Sequence, residues 1–193
     1  MSVLSDGVRT MIALVADIAY RCASMNPHLS SEAARQTPGV ILIDEVDMHL
    51  HPRWQQKVVE LLRKTFPALQ MILTTHSPHV LSTVDKESIR VIHLRDGLGV
   101  VETPVFQTRG VESAEVLASV MGVDPIPQVE EARSLSHYRA LIEDGLANDL
   151  VTQSLRQKLT SHFGESHPLI LDCDRLIRFQ NFRVKKKKPP EEV

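Results

Sequence analysis

"GVILIDEVDMHLHP", residues 39–52, runs an apolar stretch straight into two acids, then into a third acid and two histidines. Val40 to Ile43 is too short for a helix, is rich in β-favouring residues and opens after Gly39, so it reads as a buried strand of a parallel sheet. The crevice where open α/β sheets bind ligands lies at the carboxyl ends of their strands, and there the sequence puts Asp44 and Glu45. The same letters serve a plain turn or helix cap, so this pair alone does not decide a function.

The neighbouring sequence narrows the choice. Pro52 can open a helix at its first turn, Val58, Val59, Leu61 and Leu62 supply a buried face, and Pro67 stops it. Leu69 to Leu73 is a second buried strand, and the polar "TTHSPH" follows. Strand, crossover helix and strand make a βαβ unit, which belongs to an α/β sheet. Upstream, Met11, Ile12, Val15, Ile18, Ala19 and Cys22 keep helical spacing up to Asn26-Pro27, and residues 28–38 read as a connecting loop between prolines. Downstream, Ile89 to Leu94 and Val100 to Val105 flank "RDGLG", which suits a hairpin that would close the edge of the sheet. Beyond Arg109 the patterns are helical, at about 112–121, 130–144, 148–163 and 168–182. The expected division is therefore an α/β lobe over 1–110, a helical appendage over 111–182 and a disordered charged tail over 183–193.

Composition sets the outer limits. The chain has 193 residues, of which 42% are hydrophobic and 24% charged, as in ordinary globular proteins. A net charge of -2 argues against a uniformly basic nucleic-acid binder but leaves room for a local patch. Cys22 and Cys173 stand far apart without metal-type spacing, which suits reduced thiols and a cytoplasmic protein. No apolar run approaches about 18 residues, so no membrane-spanning helix is expected.

Four motifs in order then carry a resemblance. "LSDGVR" at 4–9, "VILIDE" at 40–45, "VDMHLHP" at 46–52 and "TTHS" at 74–77 resemble the signature, Walker B, D-loop and switch-histidine motifs in the second half of an ABC-type ATPase head. The wording "LIDEVDMHLHPRWQQ" with "TTHSPHVL" is similar to the RecF-like and SMC-like branch, and within it to the defence-associated ATPases of Septu and some retron systems. The resemblance is specific over residues 4–95 and weak beyond about 110. It implies a P-loop NTPase-like fold, ATP and Mg²⁺ as substrate and cofactor, and head-to-head dimerisation. DNA and an effector nuclease are the further partners it suggests.

On that resemblance Asp44 would hold Mg²⁺, usually through water, and Glu45 would orient and deprotonate the water that attacks the γ-phosphoryl group. His76 would be the switch histidine, and Asp47 would cross the dimer interface near the partner's nucleotide. Ser5 and Gly7 would bind the γ-phosphate held by the opposite protomer, where a hydroxyl, free helix N–H groups and the helix dipole favour an anion. Asp6 departs from the commoner "LSGG" pattern, and an acid so close to phosphate must face away. His49 and His51 form a His-x-His that lacks the third and fourth ligands of a metal site. "LILDCD" at 169–174 imitates an acidic metal-binding strand but keeps a loose helical spacing, so helix is the expectation there. Lys185 to Lys188 read as a solvated tail.

One part is missing from the letters. No Gly-x-x-x-x-Gly-Lys-Ser/Thr occurs in the chain, so the loop that wraps the β-phosphate must come from elsewhere. The expectation is a C-terminal piece of a head, completed by a Walker A lobe, with strand edges and apolar surface left open. The competing expectation is a non-catalytic fragment or regulatory subunit that supplies a signature motif in trans and a surface for an effector.

Overall fold

The computed structural model describes residues 6–187. These divide into two compact units, which part between Pro125 and Ile126.

The first unit begins with α1, Asp6–Met25, whose Ile18 and Cys22 are buried while Tyr20 and Met25 face solvent. Residues 28–38 are not the expected loop. A 3-10 turn at Pro27–Glu32 and the short helix α2, Ala33–Gln36, fill most of the segment. Pro27 opens the turn, as its fixed φ allows, and the change of direction falls at Ser30, with φ 48°. Buried Ala33 then lets α2 rest on the core, and the Thr37 hydroxyl, which accepts from Asn26 Nδ2 at 3.2 Å, ties α2 to the end of α1.

Strand β1, Gly39–Ile43, helix α3, Pro52–Thr65, and strand β2, Leu69–Leu73, form the expected βαβ unit. The strands are parallel, in register from Gly39 opposite Leu69 to Ile43 opposite Leu73. Alternation then separates two faces. Ile41, Ile43, Met71 and Leu73 pack on a core of Ile18, Cys22, Val46, Leu50, Val58, Leu62, Phe66 and Val80. The opposite face carries Val40, Leu42 and Ile72, which are 58%, 75% and 51% exposed. The strands are thus covered on one side only, where the run of apolar letters suggested burial on both. In α3, Val58 and Leu62 are buried as expected and Leu61 is turned outward. Burying an aliphatic side chain contributes roughly 1.5–3 kcal/mol, so Val58, Leu62 and Phe66, each at most 1% exposed, are the main anchors of the crossover.

The hairpin forms, but it does not join the sheet. β3, Val91–Arg95, pairs antiparallel with β4, Leu98–Glu102, and these make a separate two-stranded sheet. Asp96 and Gly97, with φ of 53° and 77°, make the tight left-handed turn between them. Helix α5, Ser113–Ser119, packs against α4, Pro78–Leu81, and Gly110 N–H donates to the Ser82 carbonyl at 2.9 Å. These contacts carry the first unit to Pro125, beyond the boundary suggested by the change of composition near 110.

The second unit is helical. α6, Glu130–Glu143, α7, Leu150–Phe163, and α8, Pro168–Lys187, enclose Leu135, Tyr138, Ile142, Leu159, Ile170 and Cys173. "LILDCD" lies in α8 and is helical, as its spacing suggested. α8 also runs through residues 183–187, so the expected disordered tail begins as helix, and residues 188–193 lie outside those described. Arg156 of α7 pairs with Asp174 of α8 and donates to the Tyr138 hydroxyl at 3.3 Å; both partners raise the pKa of the guanidinium.

Candidate functional site

The carboxyl ends of β1 and β2 bring the acids and "TTHS" side by side. After Ile43 the ladder continues for one more step, with Thr74 N–H donating to the Ile43 carbonyl at 3.0 Å and Val46 N–H to the Thr74 carbonyl at 3.0 Å. This register sets Thr74 beside Asp44. Its hydroxyl donates to Asp44 Oδ1 and accepts from the Glu45 N–H at 2.8 Å. The Thr74 side chain therefore fixes both the carboxylate of one acid and the backbone of the next.

Glu45 has φ 49°, in the left-handed region that a non-glycine residue seldom occupies. The chain turns there. Met48 N–H donates to the Glu45 carbonyl at 2.9 Å and Leu50 N–H to the Asp47 carbonyl at 3.0 Å, while Val46 and Leu50 are buried in the core. The two apolar side chains pin the loop at both ends and leave Met48 and His49 outside. His49 is also left-handed, with φ 61°.

Asp47 is held from the segment after β2. The Thr75 hydroxyl donates to Asp47 Oδ1 and accepts from the Ser77 N–H at 3.0 Å. Ser77 caps α4, and its hydroxyl donates to Gln55 Oε1 at 2.8 Å. Gln55 Nε2 in turn donates to the Leu50 carbonyl at 3.0 Å. A closed circuit results, in which the loop after β1, the first turn of α3 and the segment after β2 hold one another.

His76 lies inside this circuit, between Thr75 and Ser77, and its exposed side chain has no hydrogen-bond partner among the described residues. Hydrogen-bonded neighbours on either side thus hold an exposed imidazole at the same sheet end as Asp44 and Glu45. His51 caps α3, its Nδ1 accepting from the Arg53 N–H at 3.3 Å. Among the described residues no group of three or more His, Cys, Asp or Glu side chains could hold a metal ion.

Gly7 connects the start of α1 to this end of the sheet. It is buried, and a Cβ built on it would stand 2.2 Å from the His49 carbonyl oxygen, closer than any side chain tolerates. The glycine is required here by close backbone approach. Ser5 lies outside the described residues, as does the side chain of Asp6. The residues brought together are therefore Gly7, Asp44, Glu45, Asp47 and His76.

Sequence reading missed the threonines and Gln55. The signal was present, because a βαβ unit with strands of equal length aligns the residues after each strand. That alignment pairs Asp44 with Thr74 without further information. The donors at this end, a carboxylate and a threonine hydroxyl, are hard oxygens of the sort Mg²⁺ takes, and a Mg²⁺ ion that keeps several waters needs only one or two protein carboxylates. The donor set fits such an ion.

Residues 1–82 match the family described as "AAA domain, putative AbiEii toxin, Type IV TA system". The chain is 38% identical over 162 residues to "Retron Vc95 probable ATPase" of Vibrio cholerae, covering 83% of this chain and 31% of that protein. It is 35% identical over 170 residues to "Retron Ec83 probable ATPase" of Escherichia coli, covering 88% of this chain and 30% of that one. Against "Septu protein PtuA" of Bacillus thuringiensis the identity is 32% over 148 residues, which is 72% of this chain and 35% of the relative. The chain thus spans about a third of the length of these relatives.

Proposed function

Because the chain belongs to the AAA-type ATPases associated with defence systems, we propose that it supplies the hydrolytic half of a RecF/SMC-like, ABC-type ATPase head. The reaction is Mg²⁺-dependent hydrolysis of ATP to ADP and phosphate. The observation that carries this reading is the convergence of Asp44, Glu45, Asp47 and His76 at one sheet end, joined by the Thr74 and Thr75 hydroxyls.

Mg²⁺, when bound with ATP, supplies charge neutralisation at the phosphates. Asp44, its carboxylate oriented by Thr74, would hold the ion. Glu45, thrown outward by its left-handed backbone, accepts a proton from the attacking water and so acts as the general base. His76 donates a hydrogen bond to the γ-phosphate from the adjacent strand end. Gly7, with Ser5, offers the start of α1 to the γ-phosphate of a second protomer, and Asp47 stands at the same head-to-head interface.

The loop that wraps the β-phosphate comes from a Walker A lobe outside these 193 residues, since the sequence holds no such motif. The open face of Val40, Leu42 and Ile72 supports that arrangement, because apolar side chains on a strand call for cover. The completed head acts in the cytoplasm, with an effector nuclease or DNA as its further partners. Among the described residues no helix is long and apolar enough to cross a membrane.

The same open face and missing loop also favour a second reading, in which the chain is a non-catalytic subunit that lends a signature motif and a docking surface. Co-expression with a Walker A lobe separates the two. ATP turnover is expected with the parent and is expected to fall about 10²- to 10⁴-fold in Glu45→Gln, the contribution of a positioned general base. Equal turnover in the two would remove Glu45 from the role. No turnover in the completed parent, with nucleotide bound, would establish the non-catalytic reading. The isolated chain titrated with ATP and Mg²⁺ should show no sub-millimolar binding.

A further inference from the structure

Helix α8 has two unlike sides. Ile170, Cys173, Leu176 and Ile177 pack into the core of the second unit. At 3.6 residues per turn, Arg175, Arg178, Phe179, Phe182 and Arg183 fall within an arc of about 140° on the other side. All five are exposed, Phe179 and Phe182 by 58% and 59%. The Arg183 guanidinium stands over the Phe179 ring, 5.9 Å from its centre.

The charge on this segment is one-sided. From Arg175 to Lys188 the sequence contains Arg175, Arg178, Arg183 and Lys185 to Lys188 and no acid, in a chain whose net charge is -2. Phe179 and Phe182, each more than half exposed beside guanidinium groups, lie away from the core, which α8 serves with its opposite side. Nor does the arrangement suit insertion into a lipid surface. A membrane-bound helix separates a basic face from an apolar one, whereas here the arginines and rings share the exposed face and the apolar face is already covered.

We propose that this face of α8 binds single-stranded nucleic acid, with bases stacked on Phe179 and Phe182 and phosphates paired with Arg175, Arg178 and Arg183. Stacking is open to any base, because each has a π-face, while the guanidiniums follow the backbone. Duplex is the poorer ligand, since its bases already stack on one another and the rings find no open partner. The present ion pair between Arg175 and Asp172 is exposed and lies on the surface, so a phosphate can replace it. The proposal rests on the second unit alone and does not depend on the ATPase reading.

The test uses the 193-residue chain and fluorescently labelled oligonucleotides of about 20 nucleotides, as single-stranded DNA, single-stranded RNA and duplex, read by polarisation at several salt concentrations. Either single strand should bind at least tenfold more tightly than duplex. Phe179→Ala with Phe182→Ala should weaken single-strand binding about tenfold or more while leaving its salt dependence unchanged. Replacing the three arginines by glutamine should flatten the slope of log affinity against log salt by about 2, as fewer counterions are released. A chain cut after Arg183 should keep the dependence on both rings. Circular dichroism establishes that each variant is folded. The proposal is overturned if the ring variant binds as the parent does, if duplex binds equally well, or if only the lysines beyond Arg183 matter. Binding to vesicles rich in anionic lipid that is stronger than to oligonucleotide and lost in the ring variant would assign the face to a membrane instead.

Discussion

The Thr75 hydroxyl donates to the Asp47 carboxylate, joining two residues 28 positions apart in the chain. Thr75 is the residue before His76, and Asp47 is the centre of the loop after β1. The bond therefore makes the position of the histidine depend on that of the loop. The Ser77 N–H, bonded to the same hydroxyl at 3.0 Å, closes the link on the far side of the histidine.

Thr75→Val keeps the shape and removes the hydroxyl, leaving a half-buried carboxylate without its donor. A loss of about 1–3 kcal/mol is expected from urea unfolding, since bonds to charged groups lie in that range. Thr75→Ser should recover most of it. A valine variant as stable as the parent would show that the bond is not formed in solution.

Gly7→Ala places a methyl carbon against the His49 carbonyl oxygen. Backbone on both sides limits the escape, so about 1–3 kcal/mol of destabilisation is expected, as for other overpacked sites. The melting temperature of the variant checks this, and an unchanged value would contradict the close approach of α1 to the loop.

Glu45→Gly relieves a left-handed backbone that a side chain resists at a cost of roughly 1 kcal/mol. Stability should therefore hold or rise slightly in thermal unfolding, while the completed head loses turnover as Glu45→Gln does. A marked loss of stability would mean that the glutamate side chain serves the fold rather than chemistry.

Leu42→Thr together with Ile72→Thr keeps β-favouring residues and makes the open face polar. Sedimentation of the isolated chain should show less self-association at high concentration, with an unchanged unfolding midpoint. If association persists at parental strength, another surface is responsible.

Arg156→Leu leaves Asp174 without its partner between α7 and α8, and about 1 kcal/mol of the second unit's stability should be lost, the pair being only partly buried. Its partners raise the arginine pKa above the unfolded value, so the proton-linked contribution is full below that value and would fade only as pH passes the folded one. The difference between parent and variant should therefore stay constant from pH 7 to pH 10 in denaturant titrations. A difference that vanished within that range would contradict the pairing.

The βαβ unit, α1 and the four C-terminal helices were legible because each has enough turns or alternations to declare its period. Residues 28–38 were not, since a 3-10 turn of six residues and a helix of four have no period to read and depend on Ala33 reaching the core. The hairpin illustrates a different limit. Asp96-Gly97 specifies the turn locally, yet which strand lies beside β3 is a long-range matter that no local pattern encodes. At the candidate site the acids and the histidine were visible as chemical types at strand ends. Thr74 and Thr75 stand just past β2, where polar letters read as loop, and only the register of the two strands turns their hydroxyls into supports for Asp44 and Asp47.

The contact of Gly7 with His49 also has a mechanical side. α1 has 20 residues and is therefore about 30 Å long. With no side chain to cushion the joint, a shift of the loop pushes directly on the near end of a stiff rod. A tilt of about 5° there would displace the far end, at Met25, by roughly 2.6 Å over that length. A small movement beside the acids would in this way become a larger one at the far end of α1.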